Sequence, residues 1–236
     1  MKINQDLCKA CGNCIVYCPM SAIKREGKTV KVDEQECVEC KVCIRSSCCP
    51  NNAFEQPELA WPRILRSLFS DPITVHPDTG VAGRGTEELK TNDVTNRFGW
   101  GEVGIAIEMG RPNFGTDFKE IEIVSKRLAP LGVYFEPANP VTTLYKDVST
   151  GEIRDDVLSE KVLTAIIEFK VPVEKTREVL AEIKAVAEEL NTVFSLDIIN
   201  RYEENMPIES LVIAEELGYP VSINGKVCVG LGRANS

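Results

Sequence analysis

The sequence predicts an α+β protein built from two unlike parts, and three observations carry that reading. Nine of the ten cysteines fall within the first 49 residues, in two runs that repeat each other. Between residue 101 and about residue 204, apolar spacing switches between the two-residue period of a strand and the 3.6-residue period of a helix, in the order βαββαβ. The chain then closes on a short helix and an Asn224-Gly225 turn. These divide the chain into a cysteine-rich domain at 1–56, a connecting helix and long loop at 57–100, and a sandwich domain with a C-terminal helix and hairpin at 101–236.

The first cysteine run is Cys8-x2-Cys11-x2-Cys14-x3-Cys18-Pro19, and the second is Cys37-x2-Cys40-x2-Cys43, closed by Cys48-Cys49-Pro50. Residues 3–15 superpose on 32–44 with the leading cysteines in register, and Cys18-Pro19-Met20-Ser21-Ala22-Ile23 pairs with Cys49-Pro50-Asn51-Asn52-Ala53-Phe54. Three thiolates spaced by two residues wrap a loop around three corners of an iron–sulfur cube, and a Cys-Pro supplies the fourth corner. Proline suits a helix start, where its missing N–H would be unpaired anyway. Zinc sites use separated Cys-x2-Cys pairs, which a triple with this spacing fits poorly. A chain of 236 residues can build a core without disulfides, and no signal peptide precedes Cys8, so a reducing compartment is expected.

These residues resemble the two-[4Fe-4S] bacterial-type ferredoxins, over about the first 56 residues. In that family the closing cysteine of each run binds the other run's cluster. The resemblance therefore implies two [4Fe-4S] clusters, one held by Cys8, Cys11, Cys14 and Cys49, the other by Cys37, Cys40, Cys43 and Cys18. The second run departs from the pattern, because two extra residues precede its Cys-Pro and Ser47 stands at the expected ligand position. Either Cys48 or Cys49 could serve, and the Pro-x-x-Ala-Phe continuation favours Cys49. Lys41 replaces Gly12 of the first run, and a cation beside cluster sulfurs raises a cluster's potential.

Beyond residue 56, Pro62, Ile64, Leu65, Leu68 and Phe69 predict a short amphipathic helix. Residues 71–101 form a long stretch rich in Gly, Pro, Thr, Asn and Asp, and such loops are functional or disordered. Val81, Val94, Phe98 and Trp100 argue for order. Val103, Ile105, Ile107 and Met109 alternate as a half-buried strand. A helix capped by Thr116 follows, with Phe118, Ile121, Val124 and Leu128 on one face. Residues 133–148 are extended and broken by Pro137 and Pro140, Leu163 to Phe169 alternate, 173–190 are helical, and 193–199 form a strand. The order βαββαβ resembles the ferredoxin-like split-βαβ sandwich, which shares only a name with iron–sulfur ferredoxins. A helix over 207–217 ends at Gly218, and a hairpin about Asn224-Gly225 holds Cys228 as a small buried hydrophobe.

Arg84, Lys90 and Arg97, with Gly83 and Gly85 beside the first, could hold a carboxylate or phosphate next to the clusters. The reading preferred over this is a structural loop that packs the cluster domain onto the sandwich, its cations pairing with Glu87, Glu88 and Asp93. Loop and clusters together are faintly similar to 6-hydroxynicotinate reductases, a likeness that carries no residue roles. His76, the only histidine, reads as a structural loop residue. Neither a P-loop nor a dinucleotide fingerprint is present.

A net charge of −9 argues against nucleic acid, and no apolar run approaches the ~20 residues of a membrane span. The expected function is therefore single-electron relay between a donor and an oxidoreductase partner or complex, in the cytoplasm of an anaerobe or microaerophile. A reductase with its own substrate in the 71–100 loop, or a redox- or ligand-sensing module, are the rival readings.

Overall fold

The computed structural model describes residues 1–80, 82, 89, 92–112, 114–201 and 207–222, with the side chains of 93 and 94 left out. Helix and sheet are mixed. The expected hairpin and Cys228 lie outside the described residues.

The N-terminal unit is small and lightly hydrogen-bonded. Strand β1 (Lys2–Ile3) pairs antiparallel with β4 (Phe54–Glu55), and β2 (Ile23–Glu26) pairs with β3 (Thr29–Val32). Between them lies one helical turn, α1 (Val42–Arg45).

Helix α2 (Ile64–Ser70) joins this unit to the rest. The expected amphipathic helix is instead buried from Leu65 through Ser70 on every side. It is wedged between the cysteine loops and the second unit, so its polar side chains must find partners in both. Arg66 meets Glu160 at 2.5 Å and donates to the carbonyls of Glu34, Gln35 and Cys37. Ser70 Oγ accepts from Leu163 N at 2.8 Å.

After the short helix α3 (Asn92–Thr95), the second unit runs β5 (Glu102–Met109), β6 (Thr116–Asp117), α4 (Phe118–Leu128), β7 (Tyr134–Phe135), β8 (Tyr145–Asp147), β9 (Glu152–Ile153), β10 (Lys161–Val162), β11 (Ala165–Pro172), α5 (Thr176–Ala187), β12 (Phe194–Ile199) and α6 (Glu209–Glu216). Its main sheet is antiparallel with spatial order β12-β5-β11-β7, and Ile107 sits opposite both Ile167 and Leu196. Ile121, Val124 and Leu128 of α4 and Val179, Leu180, Ile183 and Val186 of α5 join Ile105, Ile107 and Phe169 in one core.

Four local expectations are corrected. Strand β5 is buried on both faces rather than one, because Phe98, from the 71–101 stretch, lies over Gly104: a Cβ there would stand 3.2 Å from the ring. The α4 cap is Asp117, whose Oδ1 accepts from Lys119 N and Glu120 N at 3.1 Å each, while Thr116 belongs to β6. The 173–190 helix begins as a tighter turn over Val173–Lys175, before α5 proper. The strand expected from Leu163 starts at Ala165. Asp117→Ala is expected to cost about 1 kcal/mol and to lower the thermal midpoint of the holoprotein by roughly 2–4 °C. An unchanged midpoint would mean that water replaces the cap.

Candidate iron–sulfur site

The two cysteine runs fold as an internal repeat down to individual hydrogen bonds. Cys8 N donates to Asn4 O and Cys37 N to Asp33 O, both at 3.0 Å. Asn4 N reaches Ala53 O at 2.8 Å, and Asp33 N reaches Ala22 O at 2.7 Å. The start of each run is thus stitched to the end of the other. Positive φ recurs at matching positions: Ala10 with Glu39, Gly12 with Lys41, and Ser21 with Asn52. Ser47 adds one without a counterpart, where the second run carries its extra residues.

Two cavities result. The first, about 340 Å³ of space open to solvent, is lined by Cys8, Cys11, Cys14, Cys48 and Cys49. The second, about 360 Å³, is lined by Cys18, Cys37, Cys40 and Cys43. Each therefore collects three thiols from one run and the closing cysteine of the other. Apolar walls complete them: Ile3, Val30, Ala53 and Phe54 in the first, and Ala22, Ile23, Val32 and Val38 in the second. None of these nine cysteines is in a disulfide. No three acidic, histidine or cysteine side chains among the described residues converge on a point fit for a single metal ion. The thiols ring an open space instead, as the corners of a multi-iron cluster require.

Backbone amides already aim at sulfur. Ala10 N donates to Cys8 Sγ at 3.4 Å, Ala22 N to Cys18 Sγ at 3.2 Å, and Ala53 N to Cys49 Sγ at 3.3 Å. Such bonds stabilise thiolate charge and tune cluster potential. As free thiols, Cys14 and Cys43 resist ionisation. Burial, followed by the neighbouring Cys48, Cys11 and Cys49, pushes the Cys14 thiol up to about 11. Burial, followed by Cys40, Cys37 and Cys18, pushes Cys43 up to about 12. Coordination to a metal removes such protons outright. The residues present fit a [4Fe-4S] group: cysteine sulfur donors, an apolar shell and N–H groups directed at sulfur.

Cys48 and Cys49 differ in their contacts. Cys49 repeats the geometry of Cys18, with the amide four residues on bound to its sulfur. Cys48 Sγ lies 3.4 Å from the carbonyl of Cys43, and its thiol is spent on that acceptor.

The surroundings of the second cavity hold residues that the sequence reading missed. Lys41, expected to lend a positive charge, is tied at 2.9 Å to Asp71, whose side chain is fully buried. Asp71 also binds Arg45 at 2.6 Å and Thr74 at 2.7 Å. Its carboxyl is held below its ordinary range although burial alone would raise it, since Lys41 and Thr74 hydrogen-bond the charged form. Arg63 pairs with Glu39 at 2.6 Å. Arg66 lies in α2 and Arg63 directly before it, in a segment whose apolar residues alone gave a signal, and nothing in the sequence points Asp71 back at Lys41.

Of the three candidate anion-binding cations, Arg84 and Lys90 lie outside the described residues. Arg97 stands 3.8 Å from Glu136, which is nearly buried. His76 is buried edge-on to Phe69 and accepts from Asp78 N at 3.3 Å, and burial lowers its pKa against the opposing pull of Asp78. No described helix is long and apolar enough to cross a membrane.

A stretch of 92 residues, 38% of the chain, is 46% identical to an uncharacterized protein of Methanocaldococcus jannaschii, and covers 21% of that relative. The chain thus spans about a fifth of the curated relative it matches. No solved structure matches significantly. Residues 1–24 match the 4Fe-4S binding domain, so the chain carries an iron–sulfur domain of the electron-transfer type at its N-terminus.

Proposed function

We propose that the protein relays single electrons through two [4Fe-4S] clusters to a redox partner protein or larger oxidoreductase complex. The observation that carries this reading is the pair of cavities, each lined by three cysteines of one run and the closing cysteine of the other. Cys8, Cys11, Cys14 and Cys49 would hold one cluster, and Cys18, Cys37, Cys40 and Cys43 the other. Each cluster supplies reversible one-electron chemistry. The chain's own part is to fix the sulfurs, to direct the amides of Ala10, Ala22 and Ala53 at them, and to keep apolar walls around them. We take the first 56 residues as a dicluster ferredoxin domain and the remainder after the connector as a ferredoxin-like sandwich. The order β12-β5-β11-β7, with both long helices in one core, supports that division. The oxygen sensitivity of exposed clusters favours an anaerobic cytoplasm.

A reductase reading would need the 71–100 stretch to gather cations around a substrate. The one described member of that trio, Arg97, faces Glu136, so we favour electron relay.

Protein purified without oxygen is expected to contain about eight iron and eight sulfide per chain. About four iron, or stoichiometric zinc, would sink the two-cluster reading.

A further inference from the structure

The chain carries a net charge of −9, yet its first 32 residues hold six Lys and Arg against two Asp and Glu. All six cations are exposed. Lys24 and Lys31 are paired with Asp33 and Glu26, whereas Lys9, Arg25 and Lys28 form no ion pair among the described residues. Two of the three, Lys9 and Arg25, stand at the mouth of the first cavity, and the third is on the adjoining hairpin. Lys9 lines the cavity. Arg25 sits opposite Val30, another lining residue, and its guanidinium lies across Gly12, where a Cβ would stand 2.7 Å from Nη2. Lys28 occupies the turn joining the same two strands.

Exposed apolar side chains flank the first cysteine run. Val16 is 85% exposed, and Leu7 and Tyr17 are each 46% exposed, beside the exposed Cys11. Asp6 is the one acid of the segment here without a lysine partner among the described residues. Among the described residues the second cavity shows no such face. Its loop is clamped by Arg63, Arg66 and Asp71, and Met20 on its wall presses against Gly115 of the sandwich unit, where a Cβ would stand 2.4 Å from the Met20 methyl.

We propose that the mouth of the first cavity is the docking face for an acidic redox protein, and that electrons enter and leave the chain there. Exposed cations without ion pairs, beside exposed apolar residues of the first cysteine run, match a partner with an acidic surface, and the local field would steer that encounter against the sign of the whole chain. In the transfer one electron leaves the reduced cluster of the first cavity and reduces a one-electron acceptor centre in the partner; no bond forms or breaks. The inference rests on the two-cluster reading above.

The test uses reduced holoprotein and two outer-sphere oxidants of opposite charge, anionic tris(oxalato)cobaltate(III) and cationic hexaamminecobalt(III), followed by stopped-flow absorbance. The rate with the anionic oxidant is expected to fall roughly tenfold from low to moderate salt, and a Lys9→Glu/Arg25→Glu/Lys28→Glu variant to lose that dependence. Polyglutamate should slow the wild-type reaction and leave the variant unaffected. Acceleration of the anionic reaction by salt, or an unchanged variant, would overturn the proposal. So would competition by a DNA duplex where polyglutamate fails, which would make the face a nucleic-acid surface. Iron content and reduced-state EPR of each preparation separate the two levels. Absent clusters would refute the cluster reading, while intact clusters with the wrong salt response would refute the docking face alone.

Discussion

Cys49→Ser is expected to abolish one of two cluster signals in dithionite-reduced protein, while Cys48→Ser keeps both. Adjacent cysteines compete for one corner of the first cavity, and both sulfurs reach its wall. Two contacts separate them. The amide of Ala53 is bound to Cys49 Sγ as the amide of Ala22 is bound to Cys18 Sγ, so Cys49 stands where a cluster ligand is already solvated by backbone. Cys48 instead faces the carbonyl of Cys43, an acceptor that suits a thiol and repels a thiolate. The extra residues of the second run are absorbed at Ser47, whose φ of 49° lets the chain double back before the pair. Iron should fall from about eight to about four per chain, or to an intermediate value if a three-iron cluster survives in Cys49→Ser. Loss in Cys48→Ser and retention in Cys49→Ser, read by EPR and iron content, would reverse the assignment.

The repeat was legible because cluster loops are written in one-dimensional spacing. Asn4 and Asp33, or Ala22 and Ala53, occupy corresponding places in sequence and make corresponding bonds. The long strands and helices were legible for a similar reason: Ile105, Ile107 and Phe169 alternate, and Ile121, Val124 and Leu128 recur at helical spacing. The burial of β5 on its second face was not. Alternation reports one apolar face, and Phe98, which lies over Gly104 on the other, comes from a stretch with no period at all. The surroundings of the second cavity were hidden on the same grounds. Asp71 and Lys41 are thirty positions apart, and only the direction in which α2 leaves the cysteine unit brings them within 2.9 Å. The cap of α4 illustrates a smaller ambiguity. Thr116 and Asp117 are both good cap residues and both pair in β6, but only Asp117 stands directly before Phe118 with its carboxylate on the amides of Lys119 and Glu120.

Arg66→Leu should be the most destabilising single change outside the apolar core, at about 3–5 kcal/mol. Arg66 is only 7% exposed and its guanidinium has four acceptors: Glu160 in the second unit, and the carbonyls of Glu34, Gln35 and Cys37 on the cysteine side. Removing it leaves a nearly buried carboxylate without its cation and takes the donor from the carbonyl of Cys37, the first cysteine of the second run. For a chain of this length the thermal midpoint should drop by roughly 6–20 °C. The loss should also be uneven, because the contacts touch the second cavity and not the first. On mild heating under anaerobic conditions, one cluster's EPR signal should fade well before the other. A double change, Arg66→Leu with Glu160→Leu, removes both charges and should recover part of the midpoint, since much of the single variant's cost is the stranded carboxylate. A single variant within about 1 kcal/mol of wild type would mean that water reaches Glu160 and that the bridge is ordinary surface pairing. Equal fading of both signals would separate α2 from the second cavity and leave Arg66 as a joint between units alone.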